Sequence, residues 1–246
     1  MPDSPEAPTT AQVRTARAVP ATQAFAWYRE AMRLWKRGPF TFGVLALATL
    51  AVDFALNLIP GGGVVLAQIA VPLAACGLLY GSLAADRGGR PRLGDFIAIA
   101  GASAGALIAV IASSLIVFAA QALTAYAIGR INMLAPGSGD ASIAPSVALV
   151  VYTVGIAVSL PFTFVPFAAL FDGLSLRDSF GQSVRGFTAN AAPLGVYGVL
   201  SLALLLFGSA TFGVGLLLAL PWWAASSYAA WKDIFDVVGE KSPDGG

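Results

Sequence analysis

Histidine is absent from this chain of 246 residues, and cysteine occurs once, at Cys76. Without imidazole there is no His-liganded zinc or haem site and no Ser-His-Asp hydrolase. One cysteine leaves no intrachain disulfide and no cysteine-held metal cluster, and inside an apolar run Cys76 reads as a small packing residue. Charge is also scarce. Only 11% of the residues are charged and 57% are hydrophobic, whereas roughly a quarter of a soluble chain carries charge. No Gly-rich phosphate loop is present, because the glycines at 61–63 follow Pro60 in an uncharged turn. The chain reads as a non-enzyme, with no cofactor and no nucleic-acid partner expected.

What the sequence has in quantity is long apolar runs, and a run of about 20 residues crosses a hydrocarbon core of about 30 Å as a helix. A barrel needs segments of about ten alternating residues, and these runs are continuous. The runs predict spans over 40–59, 64–84, 102–126, 147–171, 192–210 and 212–231. The fold class expected is an all-α integral membrane protein, a bundle of about six transmembrane helices in three hairpins with cytoplasmic interfacial helices. Of 14 Lys and Arg residues, only Arg130 falls in a connection on the outer side. Basic residues mark the cytoplasmic face, so both termini are expected in the cytoplasm of a bacterial inner membrane.

By this division, residues 1–20 form a disordered cytoplasmic tail, 21–38 an amphipathic interfacial helix, 39–236 the six-span domain and 237–246 a second tail. In the interfacial helix, Phe25, Tyr28, Met32 and Trp35 recur at helical spacing with Arg29, Arg33 and Lys36 between them. Arg29, Arg33, Lys36 and Arg37 are the candidate lipid-headgroup contacts, and Trp27, Trp35, Tyr228 and Trp231 the candidate interfacial anchors. A second amphipathic segment begins at Ser175, which with Asp178 has capping-box spacing, and continues through Phe180, Val184 and Phe187. Asn190 and Pro193 then fit the start of the fifth span.

Asp53 is the one acidic residue inside an expected span, and an Asp at a helix centre costs about 2.5 to 3.5 kcal/mol on insertion scales. Counted from the turn at Pro60, Asp53 and Gln68 lie at matching depth. Asn57 follows Asp53 by one turn, Gln121 approaches the same leaflet, and Arg130 stands at the rim. These five residues form the candidate intramembrane polar cluster. Three arrangements fit: a hydrogen-bonded helix clamp, a proton- or cation-responsive pocket open to the periplasm, or an Asp53 that is simply wet.

Gly77 and Gly81, like Gly101 and Gly105, have the small-xxx-small spacing that lets helices approach closely, within the chain or in self-association. Pro161 and Pro166 predict a kinked fourth span, and Pro221 a kinked sixth. Residues 42–50 match 197–205 at six of nine positions, which suggests related hairpins. The partners expected are membrane lipids, with a second copy of the chain or another membrane protein as further candidates.

The segment Pro221 to Phe235, the stretch Ser183 to Asn190 leading to Pro193, and the loop Asp86 to Asp95 carry a resemblance. Over residues 21–236 the chain resembles a family of uncharacterised bacterial multi-pass inner-membrane proteins. That family is distantly similar to the membrane domain fused to some glycerophosphodiester phosphodiesterases. The resemblance implies a helical inner-membrane protein and supplies no catalytic residue to carry over. Gly186-Phe187 departs from the more basic and aromatic form expected before the Asn.

Overall fold

The computed structural model describes residues 13–59, 62–134, 144–211 and 213–237. Among the described residues the chain is helical, with no strand. A short amphipathic helix, α1 (Gln23–Trp35), leads into an antiparallel pair, α2 (Pro39–Asn57) and α3 (Gly63–Asp86). Two 3₁₀ turns, Leu93–Phe96 and Ala98–Gly101, connect to α4 (Ala104–Gly129), which pairs with α5 (Pro145–Ser159). That pass continues through a 3₁₀ turn, Leu160–Phe162, into α6 (Val165–Leu170). A second amphipathic helix, α7 (Leu176–Ala189), precedes the last pair, α8 (Ala191–Ala210) and α9 (Leu216–Ile234).

Among the described residues five helical stretches are long and apolar enough to cross a membrane: α2, α3, α4, the composite Pro145–Leu170, and α8. The sixth expected span, 212–231, corresponds to α9, which is 19 residues long but lies outside that apolar group. Its residues explain why, since Trp222, Trp223, Ser226, Ser227, Lys232 and Asp233 replace aliphatic side chains.

Among the described residues α9 nevertheless packs with those five as a sixth antiparallel pass of the helix bundle, and the same set of helix ends meets at one end of it. Arg37 Nη1 at the entry to α2 donates to the carbonyl of Ala85 near the end of α3 (2.9 Å). Lys232 at the end of α9 reaches Asp86. Asn190, between α7 and α8, bonds the carbonyl of Arg17, whose own N–H donates to Ile234 O. With twelve of the thirteen Lys and Arg residues among the described residues in or beside the segments at these ends, this is the basic end of the molecule.

Proline breaks the fourth pass as expected, and the repair comes from α7. Pro161 has no N–H, and the chain leaves α-helical geometry from Leu160 to Phe164. Ser183 Oγ donates to Pro161 O (2.7 Å) and accepts from the Phe164 N–H (3.0 Å). A side-chain hydroxyl thus replaces the backbone partners that the break removes, as apolar surroundings require. Pro221 lies within α9, and a proline not singled out from the sequence, Pro72, lies within α3.

Both amphipathic helices are rotated from the face that the sequence periodicity suggested. In α1 the buried residues are Ala24, Trp27, Ala31 and Leu34, while Phe25 is 54% exposed. In α7 they are Ser179, Gln182, Ser183 and Gly186, while Val184 faces out. Small side chains let these helices approach the bundle closely, and the polar ones among them find hydrogen-bond partners there. Gly81 shows the same use, since a Cβ on it would meet Phe42 and Leu45 at 3.4 and 3.5 Å. Gly77 and Gly81 are both buried within the bundle, whereas Gly101 has nothing within 4 Å of that position.

The expected tail over 1–20 differs in its last residues. Residues 13–20 run along α7 and α9 as a strap held by hydrogen bonds from Arg14, Arg17 and Val19. The expected turn at Pro60 and Gly61, the first twelve residues, and the second tail beyond Val237 lie outside the described residues. The last hairpin turns at 211–215 rather than 208–210, with Gly213 at φ +87° and the Gly215 N–H donating to Thr211 Oγ1 (2.7 Å).

Candidate functional site

Two regions concentrate polar chemistry: the basic end and a cleft between the passes. At the basic end, each of the three passes that run toward it finishes beside an aspartate. Asp86 closes α3, Asp172 follows α6, and Asp233 lies in the last turn of α9. A carboxylate at a helix C-terminus faces the negative end of the helix dipole and needs a cation. The N-terminal 35 residues supply one arginine to each. Arg14 Nε donates to Asp172 Oδ1 (2.8 Å), Arg17 pairs with Asp233, and Arg33 reaches Asp86 (3.4 Å).

Further donors complete each acceptor. Asp86 Oδ2 also accepts from Lys232 Nζ (2.6 Å) and the Tyr228 hydroxyl (3.0 Å). Asp233 Oδ2 accepts from Trp27 Nε1 (2.8 Å). Asp172 Oδ2 accepts from Gln182 Nε2 (2.9 Å), and Gln182 Oε1 accepts the Arg14 backbone N–H (2.7 Å), which closes a ring of bonds. Asn190 does not cap α8 with its side chain. Its Oδ1 instead accepts from the Val19 N–H, and its Nδ2 donates to Arg17 O and Gly186 O. Ser175 does cap α7, accepting the Asp178 N–H as the spacing predicted.

These bonds redistribute the expected anchors. Trp27, Tyr228 and Trp231 are each 2% exposed, so their rings have no headgroup contact in this arrangement, and Trp35 is half-buried. Trp231 stacks on Phe167 at 5.4 Å, and Tyr228 packs against both. Of the expected headgroup cations, Arg33 is engaged by Glu30 and Asp86, and Arg37 by the Ala85 carbonyl. Arg29 and Lys36 are exposed and form no ion pair among the described residues.

Tyr28 reaches inward from α1, stacks on Tyr197 at 5.7 Å and shares a hydrogen bond with Ser201 Oγ (2.9 Å). Burial pushes its phenol up to about 12 against the opposing effect of Ser201. The neutral phenol is favoured in the folded protein, so the stability it contributes is full below pH 10 and is lost as pH rises toward 12. About 2 kcal/mol should disappear over that window. Alkaline unfolding of the Tyr28→Phe variant beside the parent checks this, with a shallower decline expected for the variant.

The second region is a cleft of about 650 Å³ lined by all six passes. Asp53, Gln68 and Gln121 of the expected cluster all line it. Asp53 is half-buried, and its partner lies on its own helix: Asn57 Nδ2 donates to Asp53 Oδ1 (3.0 Å) and to Asp53 O (2.8 Å). No hydrogen bond joins Asp53 to Gln68 or Gln121 among the described residues, so the interhelical clamp is replaced by a shared lining. Gln121 lies over Gly155 of α5, where a Cβ would collide with its carboxamide.

Arg130 stands apart from the cluster. It ends α4 in the left-handed region at φ 53°, with its guanidinium 5.7 Å from the Tyr126 ring centroid. A cation at a helix C-terminus beside an aromatic face has local partners enough and does not reach back to Asp53. Deeper in the cleft, Tyr197 lines the wall with its hydroxyl buried and without a hydrogen-bond partner among the described residues. Among the described residues no group of three or more Cys, Asp or Glu side chains is placed to hold a metal ion.

Comparison of the chain with profiles of known protein families, with curated proteins and with solved structures returns no match. What length, composition and fold establish is the class: an all-α, multi-pass helical membrane protein.

Proposed function

We propose that the chain is a bacterial inner-membrane protein crossing six times, with the basic end and both termini in the cytoplasm. It serves an envelope-related role without catalysis, by engaging anionic headgroups on that face. One observation carries this reading. At the basic end Glu30, Asp86, Asp95, Asp172, Asp178 and Asp233 are engaged by partners within the protein, and of the described acids there only Asp236 is exposed without an ion pair. Arg29, Lys36, Arg87, Arg90, Arg92, Arg177 and Arg185 are meanwhile exposed and without an ion pair among the described residues.

Apolar side chains on the same end are left outward between those cations: Phe25, Phe40, Leu93, Ile97, Leu176 and Val184. Cations interleaved with exposed apolar groups match the boundary between headgroups and acyl chains. Six crossings follow if α9, packed against α1, α2, α3 and α8, is sheltered from lipid along its polar face. Neutralising Arg29, Lys36, Arg177 and Arg185 to Gln should weaken the preference for phosphatidylglycerol over phosphatidylcholine about fivefold per residue. Native mass spectrometry from mixed nanodiscs reads that ratio, and equal binding of the two lipids by the parent protein would sink the proposal.

The cleft favours a second reading, passage of a small solute past Asp53. Its lining runs from Asp53 past Val110 and Ile156 to Trp223, Ala224 and Ser227 of α9. Solute flux in proteoliposomes that Asp53→Asn abolishes would select this reading over the first.

A further inference from the structure

The cleft has an asymmetry that neither reading uses. Near the end of the bundle remote from the basic end it presents one carboxylate, Asp53, and two carboxamides, Gln68 and Gln121, and among the described residues no basic side chain lines it. Asp53 has four residues of α2 beyond it and Gln68 five residues of α3 before it. At 1.5 Å rise this places both roughly 6 to 8 Å from the helix ends. Between them and the inner wall the lining is mostly apolar, through residues such as Val71, Val110, Val117, Ile156 and Leu220, and the hydroxyls of Thr49, Ser113, Ser159 and Thr163 there donate to carbonyls of their own helical stretch.

A carboxylate at that depth with one amide donor from Asn57 is poorly compensated. An anionic or purely apolar occupant would leave it so. A protonated amine would supply the missing charge, the two carboxamide oxygens would accept its remaining N–H bonds, and an apolar body would fill the rest. The volume of about 650 Å³ suits a single drug-sized molecule. At the inner wall the cleft is lined by Tyr197 and Trp223.

We propose that the cleft binds an amphipathic amine, its nitrogen at Asp53 between Gln68 and Gln121 and its apolar body directed toward Tyr197. This holds whether or not the cleft conducts solute, and it is independent of headgroup contact at the basic end. The same chemistry arises from a single-chain aminolipid of the membrane or from a free amine.

Equilibrium dialysis of the full chain in maltoside detergent against octylamine, octanol and octanoate tests it. Saturable binding is expected for octylamine alone, weakened about tenfold or more in Asp53→Asn, since a charge-assisted hydrogen bond contributes about 1.5 to 3 kcal/mol. Asp53→Glu should restore it. Ser114→Phe, which fills the cleft and leaves the carboxylate in place, should abolish it, so the test survives if one variant fails to fold. Equal uptake of octanol, no saturable octylamine site, or unchanged binding in both Asp53→Asn and Ser114→Phe would overturn the proposal. With octylamine binding established, native mass spectrometry separates the sources. A long-chain amine mass that carries no phosphate, brought from native membranes and lost in Asp53→Asn, marks the lipid, and its absence marks a free amine.

Discussion

Replacing Trp27 by Ala is expected to cost about 3 to 5 kcal/mol, the range for truncating a large buried aromatic side chain. Trp27 is 2% exposed, meets Tyr197 edge-on at 6.3 Å and donates through Nε1 to Asp233. Its removal opens a cavity at the centre of the contact between α1 and α9 and takes a donor from a carboxylate that α9 holds at its C-terminal end. Phe25, two residues earlier, is 54% exposed, and Phe25→Ala should change stability by less than about 0.5 kcal/mol. Unfolding of both variants in the same detergent measures the difference. Comparable losses would show that Phe25 faces the bundle as fully as Trp27.

That pair also marks where the sequence was readable. Passes built from continuous aliphatic runs declare themselves, because a bilayer demands length and apolarity and little else; α2, α3, α4 and α8 lie within a few residues of their expected bounds. The break at Pro161 was legible for the same reason, since a missing N–H is a local property. The rotation of α1 and α7 was not. A periodicity argument assumes that the largest apolar side chains point inward, whereas here Ala24, Ala31, Ser179, Ser183 and Gly186 occupy the contact. Close approach to a bundle already filled with aromatic rings selects for small side chains, and the moment of a helix does not report that.

The cleft was legible in part. Depth counting brought Asp53, Gln68 and Gln121 to one place, and they share one lining. It also drew in Arg130, whose partner is decided by the left-handed turn that ends α4, a feature without a glycine to announce it. The three aspartates at the basic end had a signal that charge counting hid. Each second helix of a hairpin ends in one, and each is answered by an arginine from the N-terminal segment. Counting Lys and Arg marked one end of the bundle, but the acidic residues hold the helix ends together there.

Asp172→Ala tests that bracing most directly. The Asp172 side chain is 1% exposed and accepts from both Arg14 and Gln182. Breaking a buried ion pair by removing one partner costs about 3 to 5 kcal/mol, and the Arg14 side chain, 37% exposed, can rehydrate, which lowers the expectation to about 3 kcal/mol. Gln182, fully buried, would lose an acceptor and cannot reach water. The strap at 13–20 should then detach, because Arg14 is held through Asp172 and through a Gln182 carboxamide that Asp172 orients. Trypsin cleavage after Arg14 and Arg17 should accelerate in Asp172→Ala at temperatures where the bundle is still folded. Asp178→Ala supplies the contrast. That residue only completes the exposed cap of α7 with Ser175, so it should cost about 1 kcal/mol and leave the strap protected. Equal protection in Asp172→Ala and the parent protein would mean that Arg17, Val19 and Asn190 suffice to hold the strap, with the bond to Asp172 contributing nothing to its closure.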